Sequence, residues 1–172
     1  MISIRKFQEE DISLKVKWIN DTRNNLYLHY DLPLREDKTT QWFNSIKNRT
    51  DRIDCTILYN NAPVGLIGLL NINKEKLDAE YYVCLGEETA KGKGIASKAT
   101  DLLIKEAYEK LGLKSLYLFT EVENLAAQKL FERNQFEKIK LIRNELFYNG
   151  RYVDRYLYQL IVEQYINNVG GL

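Results

Sequence analysis

Lys91-Gly92-Lys93-Gly94-Ile95-Ala96 joins a strand-like run, Ala79 to Leu85, to a stretch in which Ile95, Ala99, Leu102, Leu103, Ala107 and Leu111 recur at helical spacing. Two glycines allow a tight turn and leave amide N–H groups uncovered. A helix starting there aims its unpaired donors and its positive dipole end at the turn. That is the chemistry of an anion site, suited to a phosphate or pyrophosphate. A plain tight turn is the other reading of the same six residues. Glu80 is a single carboxylate in an otherwise apolar strand. Desolvation there would raise its pKa and make it a proton acceptor, whereas a lysine on a neighbouring strand would make it structural. Asn124 stands before Ala127, Leu130 and Phe131, which share one helical face, and its side chain suits an N-cap. His29 and Tyr30 lie in a polar, aromatic stretch of the kind that carries binding residues. His29, the only histidine, is an alternative base or a solvated loop residue. Trp18, Tyr27 and Trp42 could wall a substrate or, for the two tryptophans, pack into the core.

Those residues must be positioned by a mixed set of elements. Ile2 to Arg5 alternates as a strand, Asp11 to Asn20 reads as a helix, and Asn20 to Glu36 reads as a loop with room for one helical turn. Trp42, Phe43 and Ile46 mark a second helix opened near Asp37. Asp54 to Tyr59 and Val64 to Ile72 flank Asn60-Asn61-Ala62-Pro63 as a hairpin, and Ala79 to Leu85 continues an antiparallel meander. Gly112 ends the long helix, Leu116 to Phe119 is another strand, and Asn124 opens a short helix. Phe136 to Phe147 and Arg151 to Ile161 close the chain as a hairpin about Asn149-Gly150, leaving Gln164 to Leu172 frayed. The fold class is α/β (α+β): one domain, a mostly antiparallel mixed sheet flanked by helices.

Composition narrows the function. A chain of 172 residues with 45% hydrophobic and 28% charged content is long enough for a real core and ordinary for a soluble domain. Its net charge of +1 argues against a bulk nucleic-acid binder. No apolar run is long enough to span a bilayer, and Met1 to Phe7 reads as a strand rather than a leader. Cys55 and Cys84 sit in apolar runs without a pairing framework, so reduced thiols and a cytoplasmic location are expected. One histidine and no Cys-x-x-Cys pair leave no metal site in view.

Three stretches together resemble the GNAT superfamily of N-acetyltransferases. Ala79 to Leu85 with its turn is similar to the family's acetyl-CoA motif, in which Gln or Arg is followed three residues later by Gly and two beyond that by Gly or Ala. Lys91, Gly94 and Ala96 occupy those positions, so Lys91 departs from the pattern. Asn124 to Phe136 is similar to the later motif, where an Asn opens a helix ending in Gly-Phe, with Gln135 in place of the Gly. Asn149 to Asp154 resembles the last hairpin of the RimJ/RimL-like branch, and Lys17 to Asp21 resembles acetyltransferases of amino-sugar nucleotides and related small amines.

The resemblance implies a single N-acetyltransferase domain over 1–172. Within it, 1–53 would form the substrate side and 54–163 the cofactor-binding core and closing hairpin. Acetyl-CoA would be the co-substrate, with no metal, and a primary amine would attack the thioester directly. Val83, Cys84, Leu85, Lys91, Gly92, Lys93, Gly94, Ile95, Ala96 and Asn124 would bind the cofactor between two splayed strands. Glu80 would be the catalytic base, and His29, Tyr30 and Trp18 would face the substrate. The family's usual proton donor to the leaving thiolate is a Tyr, whose position is taken here by Phe131; either Tyr82, Tyr108 or Tyr117 substitutes, or the thiolate leaves unassisted or takes a proton from water. The acceptor would be a small-molecule amine or a protein N-terminus, with no nucleic acid or membrane as partner and a homodimer as the assembly. Two other readings remain. One is a non-catalytic acyl-CoA sensor on the same fold. The other is a dinucleotide-binding module, since Gly92-x-Gly94-x-x-Ser97 partly matches that fingerprint.

Overall fold

Seven strands and five helices follow one another in the computed structural model, which describes residues 1–170. They are β1 (Ile2–Lys6), α1 (Ile12–Asn20), α2 (Glu36–Ile46), β2 (Ile53–Tyr59), β3 (Ala62–Asn73), β4 (Asp78–Leu85) and α3 (Ile95–Leu111), then β5 (Ser115–Glu121), α4 (Leu125–Arg133), β6 (Glu137–Tyr148), β7 (Arg151–Ile161) and α5 (Val162–Val169). One sheet takes the order β1-β2-β3-β4-β5-β7-β6. Every pairing is antiparallel except β4 with β5, which α3 connects as a crossover.

The hairpin turns form where the asparagines stand. Asn60 and Asn61 both take positive φ, 50° and 66°, in the two-residue turn that sets Tyr59 opposite Ala62. Asn149 and Gly150 do the same between Tyr148 and Arg151. Pro63, expected in the first turn, instead lies in β3 opposite Leu58, beside a register shift.

The sheet buries both faces. Ile67, Leu69, Tyr81, Leu116 and Leu118 pack against Ile95, Leu103 and Ile104 of α3 and against Phe131 of α4. Each fully buried Leu or Ile there contributes about 1.5–3 kcal/mol over exposure. The opposite face carries Phe7, Ile12, Trp18 and Leu66, with Trp42, Phe43 and Tyr82 packed on them. The N-terminal third is not a separate layer, because β1 pairs with β2 and completes the sheet edge.

A further expectation is corrected. The described part of the C-terminal stretch is not frayed: Val162, Tyr165 and Ile166 recur at i, i+3 and i+4, which turns one face of α5 onto the core. The Tyr165 hydroxyl also donates to Asp101 of α3; Gly171 and Leu172 lie outside the described residues. The closing hairpin docks through its second strand, with β7 inserted between β5 and β6. Among the described residues no helix is long and apolar enough to cross a membrane, and no three His, Cys, Asp or Glu side chains gather in a metal-holding group.

One polar residue sits on the buried stripe of α1. Lys15 shares that face with Ile12 and Ile19 and is buried, and desolvation pushes its pKa down to about 8. Between about pH 8 and 10.5 the unfolded chain therefore holds a proton that the folded chain has released, so stability rises with pH across that window. Below it the buried ammonium costs on the order of 3 kcal/mol. Lys15→Met is expected to unfold at higher denaturant than the parent at pH 7, with the gap narrowing towards pH 10.5. A gap independent of pH would contradict the assignment.

Candidate active site

The pairing of β4 with β5 stops early. Asp78, Ala79 and Glu80 match Ser115, Leu116 and Tyr117, and there the contact ends. β4 continues against β3 as far as Leu85, and β5 continues against β7 as far as Glu121. The two strands therefore part beyond Glu80–Tyr117, leaving on β4 an open edge of backbone donors and acceptors from Tyr81 to Leu85. Such an edge can pair with an extended, amide-bearing ligand. A cavity of about 350 Å³ occupies the split and is lined by Val83, Cys84, Leu85, Lys91, Ala96 and Asn124, among others. Six of the ten residues expected to bind a cofactor thus line one cavity.

The remaining four form the turn above it. Gly92 and Gly94 each take φ of 73°, and a Cβ at either would meet nothing within 4 Å, so both face open space. The first helical bond of α3 runs from Lys98 N–H to the Gly94 carbonyl. The N–H groups of Ile95, Ala96 and Ser97 therefore lack a partner in the helix, at its positive end. This cradle fits a pyrophosphate. The Ile95 side chain is buried in the core, so only its backbone faces the turn. Lys93 points towards the Tyr59 ring, 6.0 Å away, and Lys91 pairs with Glu88 at 2.8 Å. Asn124 caps α4 by accepting the Ala127 N–H at 3.2 Å.

A strap that the sequence showed only as a loop crosses the mouth of the split. Asn20 fixes its far end through two bonds with the Leu34 backbone, 2.9 and 2.7 Å. Asn24 donates to the Gly86 carbonyl at the end of β4, at 2.9 Å, and to the Trp18 carbonyl of α1, at 3.1 Å. Tyr27 donates to the Glu123 carbonyl, and His29 Nε2 lies 3.2 Å from Glu121 Oε1, both at the end of β5. The strap therefore ties together the tips of the two parted strands. His29 also meets the Tyr148 ring edge-on at 5.0 Å, and Tyr148 donates to the Tyr30 carbonyl.

Trp18 does not face the split. It is 1% exposed and donates to Glu87 at 2.7 Å. Lys17 first and the Trp18 indole second hold the Glu87 carboxyl below its usual range. Trp18 is thus a packing residue, and the expectation of a substrate-facing role is corrected: its ring is closed in against Gly86.

Two carboxylates flank the split. Glu80 stands at the vertex, where Asn71 donates to it at 3.0 Å from a bulge in β3. Tyr117, its partner across the strands, has its pKa raised by burial and then by the Glu80 and Asp78 charges. Glu121 went unnoticed in the sequence and is 5% exposed. Extending the Glu80–Tyr117 register along both strands sets Glu121 level with Cys84 across the gap. Of the tyrosines offered as proton donors, Tyr82 is engaged with Asp54 at 2.7 Å, and Tyr108 lies near the other end of α3. Tyr117 alone stands at the vertex. Phe131 closes the inner wall within an aromatic group with Tyr81, Phe136 and Tyr158.

Known proteins resemble this chain in sequence and fold. The family model described as acetyltransferase (GNAT) domain matches residues 2–137. An uncharacterized N-acetyltransferase, p20, of Bacillus licheniformis is 26% identical over 95% of this chain and 94% of its own. A spermidine N(1)-acetyltransferase of Vibrio cholerae is 25% identical over 96% of each. The crystal structure of spermidine N-acetyltransferase from Vibrio cholerae in complex with CoA and spermine superposes with a TM-score of 0.88 at 23% identity, over 96% of this chain and 98% of that one, and so shares the fold. The early parting of β4 and β5 under a glycine turn and the family match over most of the sequence agree: the chain belongs to the GNAT acetyltransferase family.

Proposed function

We propose that the chain transfers an acetyl group from acetyl-CoA to the primary amine of a small molecule by direct attack of the amine on the thioester. The observation that carries this reading is the open β4 edge, which starts at the Glu80–Tyr117 vertex and leads up to the unpartnered amides of the glycine turn. When bound, acetyl-CoA supplies the activated acetyl group. Gly92 to Ala96 hold its pyrophosphate, the β4 edge pairs with the pantetheine arm, and backbone N–H near Cys84 polarises the thioester carbonyl. Asn124 contacts the arm from the other wall while capping α4.

The attacking amine must shed a proton. Glu80 is the base in this reading, with Tyr117 as the hydroxyl beside it. A second assignment gives the proton to Glu121, favoured by its height opposite Cys84 and by His29 at 3.2 Å. Glu80→Gln and Glu121→Gln separate the two. The true base is expected to cost about 10²–10⁴-fold in kcat and to remove the acidic limb of the pH profile while sparing acetyl-CoA affinity. A variant with an unchanged profile loses the role.

The test of the function is thiol release from acetyl-CoA over polyamines, amino sugars, amino acids and N-terminal peptides. Release with one class supports transfer; calorimetry showing no acetyl-CoA binding, or binding of NAD instead, rejects it. Tight binding without turnover on any amine would favour a sensor. Spermidine belongs in the panel because the Vibrio cholerae relative acts on it. Placement in the RimJ/RimL-like branch rests on the Asn149–Asp154 hairpin alone. Self-association belongs to the same reading: a structural relative is dodecameric, and Phe147 and Tyr152 meet at a tilt, ring centres 5.0 Å apart, on an exposed hairpin.

A further inference from the structure

A second cavity, of about 530 Å³, opens under α1 and α2 on the face that Cys84 shares, lined by Lys15, Tyr30, Arg35, Lys38, Thr39 and Trp42 among others. Lys15 is 7% exposed, and its ammonium stands 3.5 Å from the centre of the Trp42 ring and 5.7 Å from that of Tyr30. Among the described residues, no carboxylate or carbonyl accepts a hydrogen bond from it. Asp54, the carboxylate that acts on it through space, is already engaged by Arg52 at 2.7 and 2.9 Å and by the Tyr82 hydroxyl at 2.7 Å. The outer wall adds Arg35 and Lys38, both exposed; Asp31 lies exposed on the rim, and Arg35 leans on Asp37. The inner end is therefore an unpaired cation between two aromatic walls.

This cavity abuts the split. Cys84, which lines the split, lies within electrostatic reach of both Lys15 and Tyr30. His29, next to Tyr30, reaches across to Glu121 at the same height. A buried ammonium that meets aromatic faces but no hydrogen-bonded counter-charge is costly and calls for an anion. A polycation entering here would instead set its own ammonium groups against Lys15, Arg35 and Lys38.

We propose that this cavity is the acceptor subsite for an acidic group: the acceptor carries a carboxylate or a phosphate beside its amine, and Lys15 receives that group. The proposal rests on amine acetylation at the split, so acetyl-CoA binding is measured first, and its absence rejects the function rather than the subsite. With donor binding established, KM is compared within matched pairs, phenylalanine against phenylethylamine and glucosamine 6-phosphate against glucosamine, with spermidine alongside. The acid-bearing member of one pair is expected to have a KM about 10–100-fold lower, and which pair responds tells carboxylate from phosphate. Lys15→Met should raise that KM to the level of the uncharged partner at unchanged acetyl-CoA affinity, and Lys15→Arg should keep part of the preference. Indole fluorescence of the donor-loaded enzyme, titrated with inorganic phosphate and with acetate, reads the subsite without turnover: a saturable change that Lys15→Met abolishes supports it. Equal KM values within both pairs, a preference for spermidine that Lys15→Met leaves alone, or no Lys15-dependent saturation would overturn it.

Discussion

Gly94→Asp is expected to weaken acetyl-CoA binding at least about 100-fold, a loss of roughly 2.7 kcal/mol. The residue holds φ of 73°, where an L side chain costs about 1–2 kcal/mol of stability in the free and the bound enzyme alike, so the lost affinity comes from the charge. The new carboxylate would enter the open space next to the unpaired amides of Ile95, Ala96 and Ser97, where it repels a pyrophosphate and competes for its donors. Gly112→Ala is the control, because Gly112 sits at φ of 61° at the other end of the same helix. It should lower stability by about 1 kcal/mol and leave acetyl-CoA affinity at the parent value. Calorimetric titration of both variants reads the difference, and equal affinities would detach the glycine turn from the cofactor.

The largest effect on stability is expected at a position without chemistry. A Cβ on Gly86 would stand 2.0 to 2.4 Å from Trp18 ring carbons, closer than real contacts allow. Trp18 has nowhere to retreat: it is buried among Phe7, Ile12 and Leu66 and tethered to Glu87 at 2.7 Å. Gly86→Ala should therefore cost at least about 3 kcal/mol, the upper end of overpacking penalties. Moving the strand end would also disturb the Gly86 carbonyl that holds Asn24 of the strap. Denaturant unfolding followed by tryptophan fluorescence measures it, and a shift under about 1 kcal/mol would mean that the Trp18 packing described here is wrong.

How much of this was legible in the residues depended on range. Local signals read well: Asn60-Asn61 and Asn149-Gly150 as turns, the α3 stripe from Ile95 to Leu111, and Asn124 as a cap. The glycine turn and the strand before it were found because both lie in one contiguous stretch. The missing pieces are made by long-range pairing. Glu121 looks like the charged tail of a strand until the strap brings His29 to it, 92 residues away in sequence. The insertion of β7 between β5 and β6 leaves no periodic trace. Two signals were present but outweighed. Val162, Tyr165 and Ile166 keep helical spacing amid polar residues, and Lys15 lies on the same helical stripe as Ile12 and Ile19. A charge on an apolar stripe is the pattern that marks the second cavity.

The central claim is that acetyl-CoA lies in the split between β4 and β5 with its pyrophosphate under the glycine turn. Amide hydrogen exchange with and without acetyl-CoA tests it most directly. The account predicts new protection at two places, the open β4 edge from Tyr81 to Leu85 and the turn from Gly92 to Ser97, with β6 unchanged. Protection elsewhere with these two segments unaffected would contradict it.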